Sequence, residues 1–286
     1  MKINKITPQG YCNGVRNAYN TVINILNDPK TKKPVTLLGD LIHNEFVMNE
    51  LKSLGAIIIN DKNLSRLEML DKVNEGTVVF SAHGVSKDVY IKAQKKNLNI
   101  IDTTCPYVSV IHNKIEEFTN KDYEIIYLGT KNHPECEGIL GSNKHINLVT
   151  NLEDINMLDI NNDRIYVTNQ TTLSLFDLKE MYDAILKKYP NALIDNKICN
   201  ATTLRQQAVI NQEPVDLCIV VGDKKSSNTN KLAYSAQISG INTILIESVN
   251  ELINYDFSNI NSVSVTSGAS VPSYLVDDVI QYLSKK

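Results

Sequence analysis

Three cysteines are spaced almost evenly along the 286-residue chain and could together bind iron or zinc. Cys105 lies 93 residues after Cys12, and Cys199 lies 94 residues after Cys105. Each cysteine ends a strand-like segment and precedes a segment with helical periodicity. The thiolate is the form of cysteine that binds metal, and the partial positive charge of a helix N-terminus favours it. The spacing therefore predicts a long internal repeat that brings three metal-binding thiols together.

Three thiols leave two kinds of metal site open. A structural zinc site usually takes four ligands, often from close pairs, and the chain has no CxxC pair. An iron–sulfur cluster held by three cysteines keeps one iron without a protein ligand. That open iron could act as a Lewis acid towards a substrate oxygen while the cluster supplies electrons. The cysteine pattern by itself is compatible with either metal.

Two further sets of polar side chains repeat with the same period. The apolar runs VTLLG, IIYLG and CIVVG each end in glycine, and a ligand-capable side chain stands four residues after each glycine. A second set follows the strand-like runs in VVFSAHGVS, IYVTNQTTLS and VSVTSGASVP. The first set is His43, His133 and Ser226, and the second includes His83, Thr171 and Ser270. Because loops at the carboxyl ends of parallel strands form binding crevices, these residues predict one shared site.

The elements that must position these residues alternate between strand and helix. This alternation predicts an α/β protein with mainly parallel sheets. We expect three similar units in a pseudo-threefold arrangement, covering residues 13–104, 105–198 and 199–286. The third unit has no strand after its last helical segment. We therefore expect the N-terminal strand, within residues 1–12, to return and complete the third unit.

Composition excludes several classes of protein. The chain has 29 Lys and Arg against 32 Asp and Glu, a formal net charge of −3, and no basic tract. We therefore expect no nucleic-acid partner. No apolar run reaches membrane-spanning length and the first residues have no export signal, which predicts a cytoplasmic protein with no membrane partner. A Gly-rich nucleotide-binding loop is also absent from the sequence.

Nine motifs in order resemble the 4-hydroxy-3-methylbut-2-enyl diphosphate reductase family of the non-mevalonate isoprenoid pathway. They are GYCNGV, LIHN, SAHGV, DTTCP, HPE, QTTLS, CNATTLRQ, SSNTN and TSGASVP, and they span essentially the whole chain. The resemblance implies three α/β units around one [4Fe–4S] cluster with an open apical iron. Its cluster ligands match Cys12, Cys105 and Cys199.

The resemblance also implies the reaction. It is the reductive dehydroxylation of (E)-4-hydroxy-3-methylbut-2-enyl diphosphate to isopentenyl and dimethylallyl diphosphate, the final step of the pathway. Two electrons and protons remove the allylic hydroxyl group as water. The substrate is therefore a small allylic diphosphate, and a ferredoxin or flavodoxin is the expected external electron donor.

Roles for individual residues follow from the same resemblance. The catalytic residues that it implies are Glu135 as proton donor, Thr171 at the substrate oxygen, and His133. The residues that it implies for substrate binding are His43, His83, His133, Thr171, Ser226, Ser227, Asn228 and Ser270. One departure is Asn132, which stands where many relatives carry glycine before HPE.

Other chemically capable residues are expected to be structural or stay open. Cys218 lies inside an apolar strand and is expected in the core. His112 and His145 do not end strands, which favours a surface position or a satisfied core position. The roles of Cys136 and Thr172 are left open.

Two rival functions need other evidence to be excluded. The first is a non-catalytic iron–sulfur electron carrier or redox sensor, which normally has four cysteine ligands and needs no anion site. The second is a zinc-stabilised protein that binds a sugar phosphate or nucleotide phosphate without redox chemistry. A diphosphate that perturbs the cluster spectrum would argue against a carrier, and metal analysis would separate zinc from iron.

Overall fold

The chain folds into three four-stranded sheets in a computed structural model that describes residues 1–141 and 145–286. Every strand pairing in these residues is parallel, which confirms the predicted α/β class. The strands are β1 (Lys2–Lys5), β2 (Val35–Leu38), β3 (Ile57–Ile59), β4 (Thr77–Phe80), β5 (Asn99–Asp102), β6 (Glu124–Leu128), β7 (Ile146–Val149), β8 (Ile165–Asn169), β9 (Leu193–Ile194), β10 (Leu217–Val221), β11 (Thr243–Ile246) and β12 (Ser262–Ser267).

Helices connect the strands and cover the sheets. They are α1 (Asn13–Asn27), α2 (Glu45–Ser53), α3 (Arg66–Met69), α4 (Lys87–Lys95), α5 (Pro106–Thr119), α6 (Pro134–Leu140), α7 (Leu152–Met157), α8 (Leu175–Lys188), α9 (Asn200–Ile210), α10 (Ser227–Ile238) and α11 (Ser273–Leu283), with 3-10 turns at Leu70–Lys72 and Val249–Leu252. None of the helices in the described residues is both long enough and apolar enough to cross a bilayer.

One strand order repeats in all three sheets. The first sheet runs β3-β2-β4-β5, the second β7-β6-β8-β9, and the third β11-β10-β12-β1. Strand β1 therefore occupies the edge that β5 and β9 occupy in the other sheets, and its Lys5 lies opposite Val265. We propose that the units are residues 13–104, 105–198 and 199–286, with residues 1–12 added to the third.

Both faces of each sheet carry a buried apolar cluster. In the first sheet, one cluster includes Leu37 and Val79, and the cluster on the other face includes Leu38 and Phe80. The other two sheets are covered in the same way. A parallel strand covered by helices on both faces is apolar at most positions. This explains why central strands such as β6 and β10 appear in the sequence as nearly continuous apolar runs.

The carboxyl ends of equivalent strands position equivalent residues of the three units. Strands β1, β5 and β9 each lead to a cysteine that is the N-cap residue of the next helix. The backbone N–H of each cysteine donates to a carbonyl in the loop after the neighbouring strand β12, β4 or β8. The three bonds are Cys12 to Ala269 at 3.0 Å, Cys105 to Ala82 at 3.0 Å, and Cys199 to Thr171 at 3.1 Å.

Substituting alanine for two glycines of the first unit tests how tightly the chain is packed around them. Gly76 and Gly55 both have positive φ, at 83° and 96°, so alanine is strained at either position. A Cβ at Gly76 would lie 2.3 Å from the Pro34 carbonyl oxygen, whereas a Cβ at Gly55 would meet no atom within 4 Å. We expect Gly55→Ala to cost about 1–2 kcal/mol of unfolding free energy. Gly76→Ala should cost a further ~1–3 kcal/mol because of the clash.

Denaturant unfolding of both variants measures this difference. Equal unfolding free energies for the two variants would contradict the packing around Gly76.

Candidate active site

One central cavity collects all the residues that the sequence predicts as metal ligands, catalytic residues or substrate contacts. It encloses about 100 Å³ and lies where the carboxyl ends of the three sheets meet. Its lining includes Cys12, His43, His83, Cys105, His133, Glu135, Thr171, Cys199, Ser226, Ser227, Asn228 and Ser270. Two larger grooves of about 490 and 470 Å³ lie elsewhere, and none of these residues lines them. The convergence of reactive side chains, and not the volume, therefore identifies the candidate site.

The three cysteines face this cavity from the first turns of three helices. The Sγ of Cys12 accepts a bond from the backbone N–H of Val15 at 3.5 Å. The Sγ of Cys199 accepts a bond from the N–H of Thr202 at 3.4 Å. All three cysteine side chains are free thiols and partly exposed. Each thiol is therefore positioned by its helix and is accessible from the cavity.

Gly14 allows the first and second units to approach each other. A Cβ on this glycine would lie 2.7 Å from the Sγ of Cys105 and 3.9 Å from the Sγ of Cys12. Any larger residue would therefore push helix α1 away from Cys105. The glycine in the motif GYCNGV thus has a packing reason.

Burial opposes ionisation of two of these thiols. Burial raises the pKa of Cys105 and of Cys199, and the charges of the other thiols raise it further. The hydrogen bonds from Thr202 lower the pKa of Cys199 but do not reverse the shift. The N–H groups at the helix N-termini lower the pKa of both thiols, as expected, but burial outweighs this effect. Their ionisation requires a positively charged partner in the cavity.

A buried arginine is coupled electrostatically to two of the three cysteines. Arg205 is 3% exposed and interacts electrostatically with the thiolates of Cys12 and Cys199. Its Nη2 donates to the Gly10 carbonyl at 2.7 Å, and its Nε has no hydrogen-bond partner among the described residues. The sequence analysis missed this residue, although it lies six residues after a predicted cysteine in CNATTLRQ.

The thiol arrangement fits an iron–sulfur cluster better than a single metal ion. In the described part of the chain, no three His, Cys, Asp or Glu side chains converge closely enough to hold one ion. A multinuclear cluster is wider than one ion, so its cysteine ligands stand farther apart. The donor set is sulfur alone, which iron–sulfur clusters prefer. The sulfur donors of Cys12, Cys105 and Cys199 fit an iron–sulfur cluster.

Three histidine rings lie close together beside the cysteines, in tilted and edge-to-face contacts. The ring centroids of His43 and His83 are 4.7 Å apart, and each lies 5.7 Å from the centroid of His133. The Nδ1 of His133 accepts the backbone N–H of Glu135 at 3.1 Å, so Nε2 carries the proton of its neutral ring. The Nε2 of His43 is buried without a hydrogen-bond partner among the described residues. This orphaned atom indicates that a polar ligand belongs between the rings.

Burial keeps these histidines neutral at physiological pH. The pKa of His83 lies well below its ordinary value, and that of His133 falls to about 3. The pKa of His43 is also lowered, in each case mainly by burial. Repulsion from a neighbouring ring lowers the values for His83 and His133 further. The rings are therefore neutral unless a bound anion supplies compensating charge.

The polar side chains that line the cavity form a polar wall. Besides the histidines, this wall includes hydroxyl groups from the second and third units. Ser226 is the N-cap of α10, and its Oγ accepts the N–H of Thr229 at 3.3 Å. The Oγ of Ser227 accepts a bond from the Thr172 hydroxyl at 3.1 Å and one from the Gln170 amide at 3.3 Å. Both serines therefore keep their hydroxyl hydrogens free to donate to a ligand.

Asn228 and Ser270 also hold the walls together. The Asn228 side chain accepts the backbone N–H of Ala269 at 2.9 Å and donates to the Thr202 hydroxyl at 3.1 Å. The Ser270 hydroxyl donates to the carbonyl of His43 at 2.9 Å, joining the third unit to the first. Asn228 keeps one amide hydrogen for a ligand, whereas Ser270 must rotate its hydroxyl to donate one.

Glu135 is a buried carboxyl group in a neutral environment. Its side chain is 2% exposed and accepts bonds from the Thr171 N–H at 2.8 Å, the Thr171 hydroxyl at 2.9 Å and the Tyr127 hydroxyl at 3.3 Å. Burial raises its pKa to about 7, and the bonds from Thr171 and Tyr127 oppose this rise. A carboxyl group with this pKa can donate a proton near neutral pH.

Several other residues singled out by the sequence lie outside the cavity. Cys218 is fully buried in β10, which confirms the core prediction, and Cys136 is 1% exposed. His145 is exposed as expected. His112 is partly buried, and its Nε2 has no hydrogen-bond partner among the described residues, so the prediction of a surface or satisfied histidine is wrong. Asn132 adopts φ 63°, a conformation that suits glycine and that asparagine tolerates.

Comparisons with known proteins agree with this geometry. The family model described as LytB protein matches residues 3–284. The 4-hydroxy-3-methylbut-2-enyl diphosphate reductase of Geobacillus sp. (strain WCH70) is 43% identical over 100% of this chain and 91% of the relative. The reductase of the same name from Symbiobacterium thermophilum is 41% identical over 100% of this chain and 97% of its own length.

A solved structure has the same fold over nearly the whole chain. The E-1-hydroxy-2-methyl-but-2-enyl-4-diphosphate reductase from Plasmodium falciparum superposes with a TM-score of 0.92 and 33% identity, covering 99% of this chain and 88% of that one. The full-length family match and relatives above 40% identity lead to one assignment. The chain belongs to the LytB family.

Proposed function

We propose that the protein catalyses the reductive dehydroxylation of (E)-4-hydroxy-3-methylbut-2-enyl diphosphate. The products are isopentenyl and dimethylallyl diphosphate, and the step is the last of the non-mevalonate pathway. Relatives that carry this activity in their names are 41–43% identical over the whole chain. The observation that carries the proposal is the convergence of three thiols, three histidines and a buried glutamic acid on one cavity.

We propose that Cys12, Cys105 and Cys199 hold one [4Fe–4S] cluster with an open fourth iron. When bound, the cluster would supply the two electrons of the reaction. Its external donor would be a ferredoxin or a flavodoxin. The cytoplasmic location stays a prediction.

The polar wall of the cavity is suited to the diphosphate group. We propose that the rings of His43, His83 and His133 donate to its oxygens, because burial leaves them neutral donors. The remaining proposed contacts are Ser226, Ser227, Asn228 and Ser270. Ser226 caps α10, so the backbone N–H groups at the start of this helix add a partial positive charge.

Glu135 is the proposed proton donor to the leaving hydroxyl group. The reaction adds two electrons and two protons, breaks the allylic C–O bond and releases water. Near neutral pH, Glu135 can hold one of these protons at its carboxyl group. The two bonds from Thr171 orient the carboxyl group and stabilise the carboxylate after the proton has left. Thr171 and His133 would position the substrate beside this group.

A non-catalytic electron carrier explains less of the site. A carrier needs a cluster but has no use for a buried proton donor or a wall of histidines and serines. The orphaned Nε2 of His43 requires a polar ligand that an electron carrier would not bind. These features support the enzyme over the carrier.

The first prediction concerns the cluster. Cys105→Ser should lose most of the bound iron and acid-labile sulfide and reduce reductase activity by at least about 100-fold, because a thiolate ligand is removed. The measurements are iron and sulfide per chain in anaerobically reconstituted protein. The matched control is Cys218→Ala, a buried cysteine outside the cavity, which should keep its iron. Wild-type protein that binds zinc or no iron after reconstitution would refute the cluster.

The second prediction concerns the proton donor. Glu135→Gln should lower kcat by about 10²–10⁴-fold because its amide cannot donate the proton. Pyrophosphate affinity should stay within about threefold of wild type, since glutamine keeps the shape of the side chain. Wild-type kcat should fall as the pH rises through about 7, where Glu135 loses its proton. Full turnover in the variant would remove Glu135 from the mechanism.

The stability of the same variant gives an independent check. Because the folded pKa of Glu135 lies above its ordinary value, its neutral form stabilises the fold at low pH. That stabilisation is complete below about pH 4.5 and is lost as the pH rises through about 7. Glu135→Gln should therefore gain stability relative to wild type between pH 5 and pH 8, measured by denaturant unfolding. No change in this difference with pH would contradict the buried carboxyl group.

The third prediction concerns protonation of the histidines. Pyrophosphate should bind with net uptake of protons, because its negative charge raises the depressed pKa values of the rings. Calorimetry in buffers of different ionisation enthalpy measures this uptake at pH 7. His133→Gln should take up fewer protons than wild type, whereas His145→Gln, an exposed control, should match it. Pyrophosphate itself exchanges the same number of protons in each experiment, so this contribution cancels when the proteins are compared. Equal proton uptake in all three proteins would rule out protonation of His133 on binding.

A further inference from the structure

A buried arginine with no role in the proposed reaction lies behind the histidines. Arg66 begins α3, and only 5% of the residue is exposed. Its backbone N–H donates to the Oε1 of Glu137 at 2.5 Å, and its Nη1 donates to the Oε2 of the same residue. Glu137 belongs to α6 of the second unit, so this ion pair crosses between the first two units.

The guanidinium group of Arg66 lies at the end of strand β2 in the first sheet, against Gly39. A Cβ on Gly39, which follows β2, would lie 3.1 Å from Nη2, 3.5 Å from Cζ and 3.6 Å from Nε of Arg66. The guanidinium plane therefore packs against the backbone of this glycine. Gly39 also lies four residues before His43, at the strand end that positions this ring.

Equivalent glycines of the other units have small, uncharged neighbours. A Cβ on Gly129 would lie 2.5 Å from the Sγ of Cys136, and one on Gly222 would lie 2.8 Å from the side chain of Thr229. Cys136 and Thr229 come from the helix that directly follows each glycine. Only the first unit fills this position with a cation, Arg66, taken from a different element.

The guanidinium group that packs against Gly39 acts electrostatically on the histidine rings. The charge of Arg66 lowers the pKa of each of His43, His83 and His133. The carboxylate of Glu137 is not among the charges that shift the values of His83 or His133. The Nε of Arg66 is buried and has no hydrogen-bond partner among the described residues. The guanidinium therefore has an N–H group outside the ion pair with Glu137, and its charge acts on all three rings.

We propose that Arg66 is a positioning residue of the diphosphate pocket, where it supplies a buried, permanent positive charge behind the three histidines. The inference rests on the proposed function, because it needs a polyanion between the rings. Arg66 attracts the polyanion through its field, and Glu137 holds the guanidinium in place across the two units. An arginine suits this task because it stays protonated even when buried, unlike the histidines in front of it.

This role predicts a particular dependence on pH. Arg66 helps an anion at every pH, but it also opposes protonation of the rings. Without it, the rings gain protons more easily at low pH and replace part of the lost charge. Asp40, Asp223 and Lys225 also act on His43 and are unchanged by the substitution. The loss of affinity should therefore be large at high pH and small at low pH.

The test is calorimetric binding of inorganic pyrophosphate to the anaerobic, cluster-loaded protein at pH 6 and pH 8. We expect Arg66→Met to weaken binding by about tenfold or more at pH 8 and by less than about threefold at pH 6. Arg66→Lys, which keeps the charge, should recover most of the affinity. Arg164→Met, at an exposed arginine, is the matched control and should bind like wild type.

Glu137→Gln separates the electrostatic role from a purely structural one. This variant breaks the ion pair but keeps the cation, so it should lower thermal stability without weakening pyrophosphate binding. If Arg66 only fastened the two units together, Glu137→Gln and Arg66→Met would weaken binding equally at both pH values. That result, or wild-type affinity of Arg66→Met at pH 8, overturns the proposal. Failure of wild-type protein to bind pyrophosphate overturns the diphosphate pocket itself and the role of Arg66 with it.

Discussion

The parallel direction of the strands is the constraint on which the rest of the structure depends. In each sheet of the described residues, parallel pairing places all carboxyl ends at one edge, and three such edges meet at the cavity. One backbone hydrogen bond per unit then joins the cysteine loop to the loop of the neighbouring strand. One such bond links Cys105, where the second unit begins, to Ala82 of the first unit, the residue before His83. These backbone bonds fix the loops that carry the cysteines relative to the loops of the neighbouring strands, without depending on flexible side chains.

Closing three units around one cavity has an electrostatic consequence. Burial raises the pKa of Cys105, Cys199 and Glu135 and lowers that of His83 and His133, so every shift favours the neutral form. An enclosed site of low polarity makes each isolated charge costly. Charges become favourable only in complementary pairs, such as the proposed pairs of iron with thiolates and diphosphate with protonated rings. Burial opposes ionisation of these groups when no ligand is bound. It therefore couples the uptake and release of protons to ligand binding.

The fold and part of the cavity lining could be predicted because they follow from local patterns, whereas Glu135, Ser227 and Asn228 were implied by the family resemblance. Continuous apolar runs predict buried parallel strands, and polar residues at their ends predict the crevice. The protonation of Cys105 and the histidines could not be predicted in this way, because burial depends on how the three units pack together. Arg66 and Arg205 were missed for a related reason. Neither follows a strand end, and only tertiary structure brings their guanidinium groups close enough to act electrostatically on residues of the site.

The threefold scaffold becomes useful where its units differ. Equivalent positions after β2, β6 and β10 hold His43, His133 and Ser226, so two units offer rings and the third a hydroxyl group. The cysteines, by contrast, are the same in all three units. A symmetric set of thiols suits a compact metal cluster, whereas an elongated substrate needs chemically different ends. The repeat thus supplies a symmetric set of thiols, and the residues that differ between the units make the rest of the cavity asymmetric. Arg66 belongs to this second class, since it places positive charge behind the rings in the first unit only.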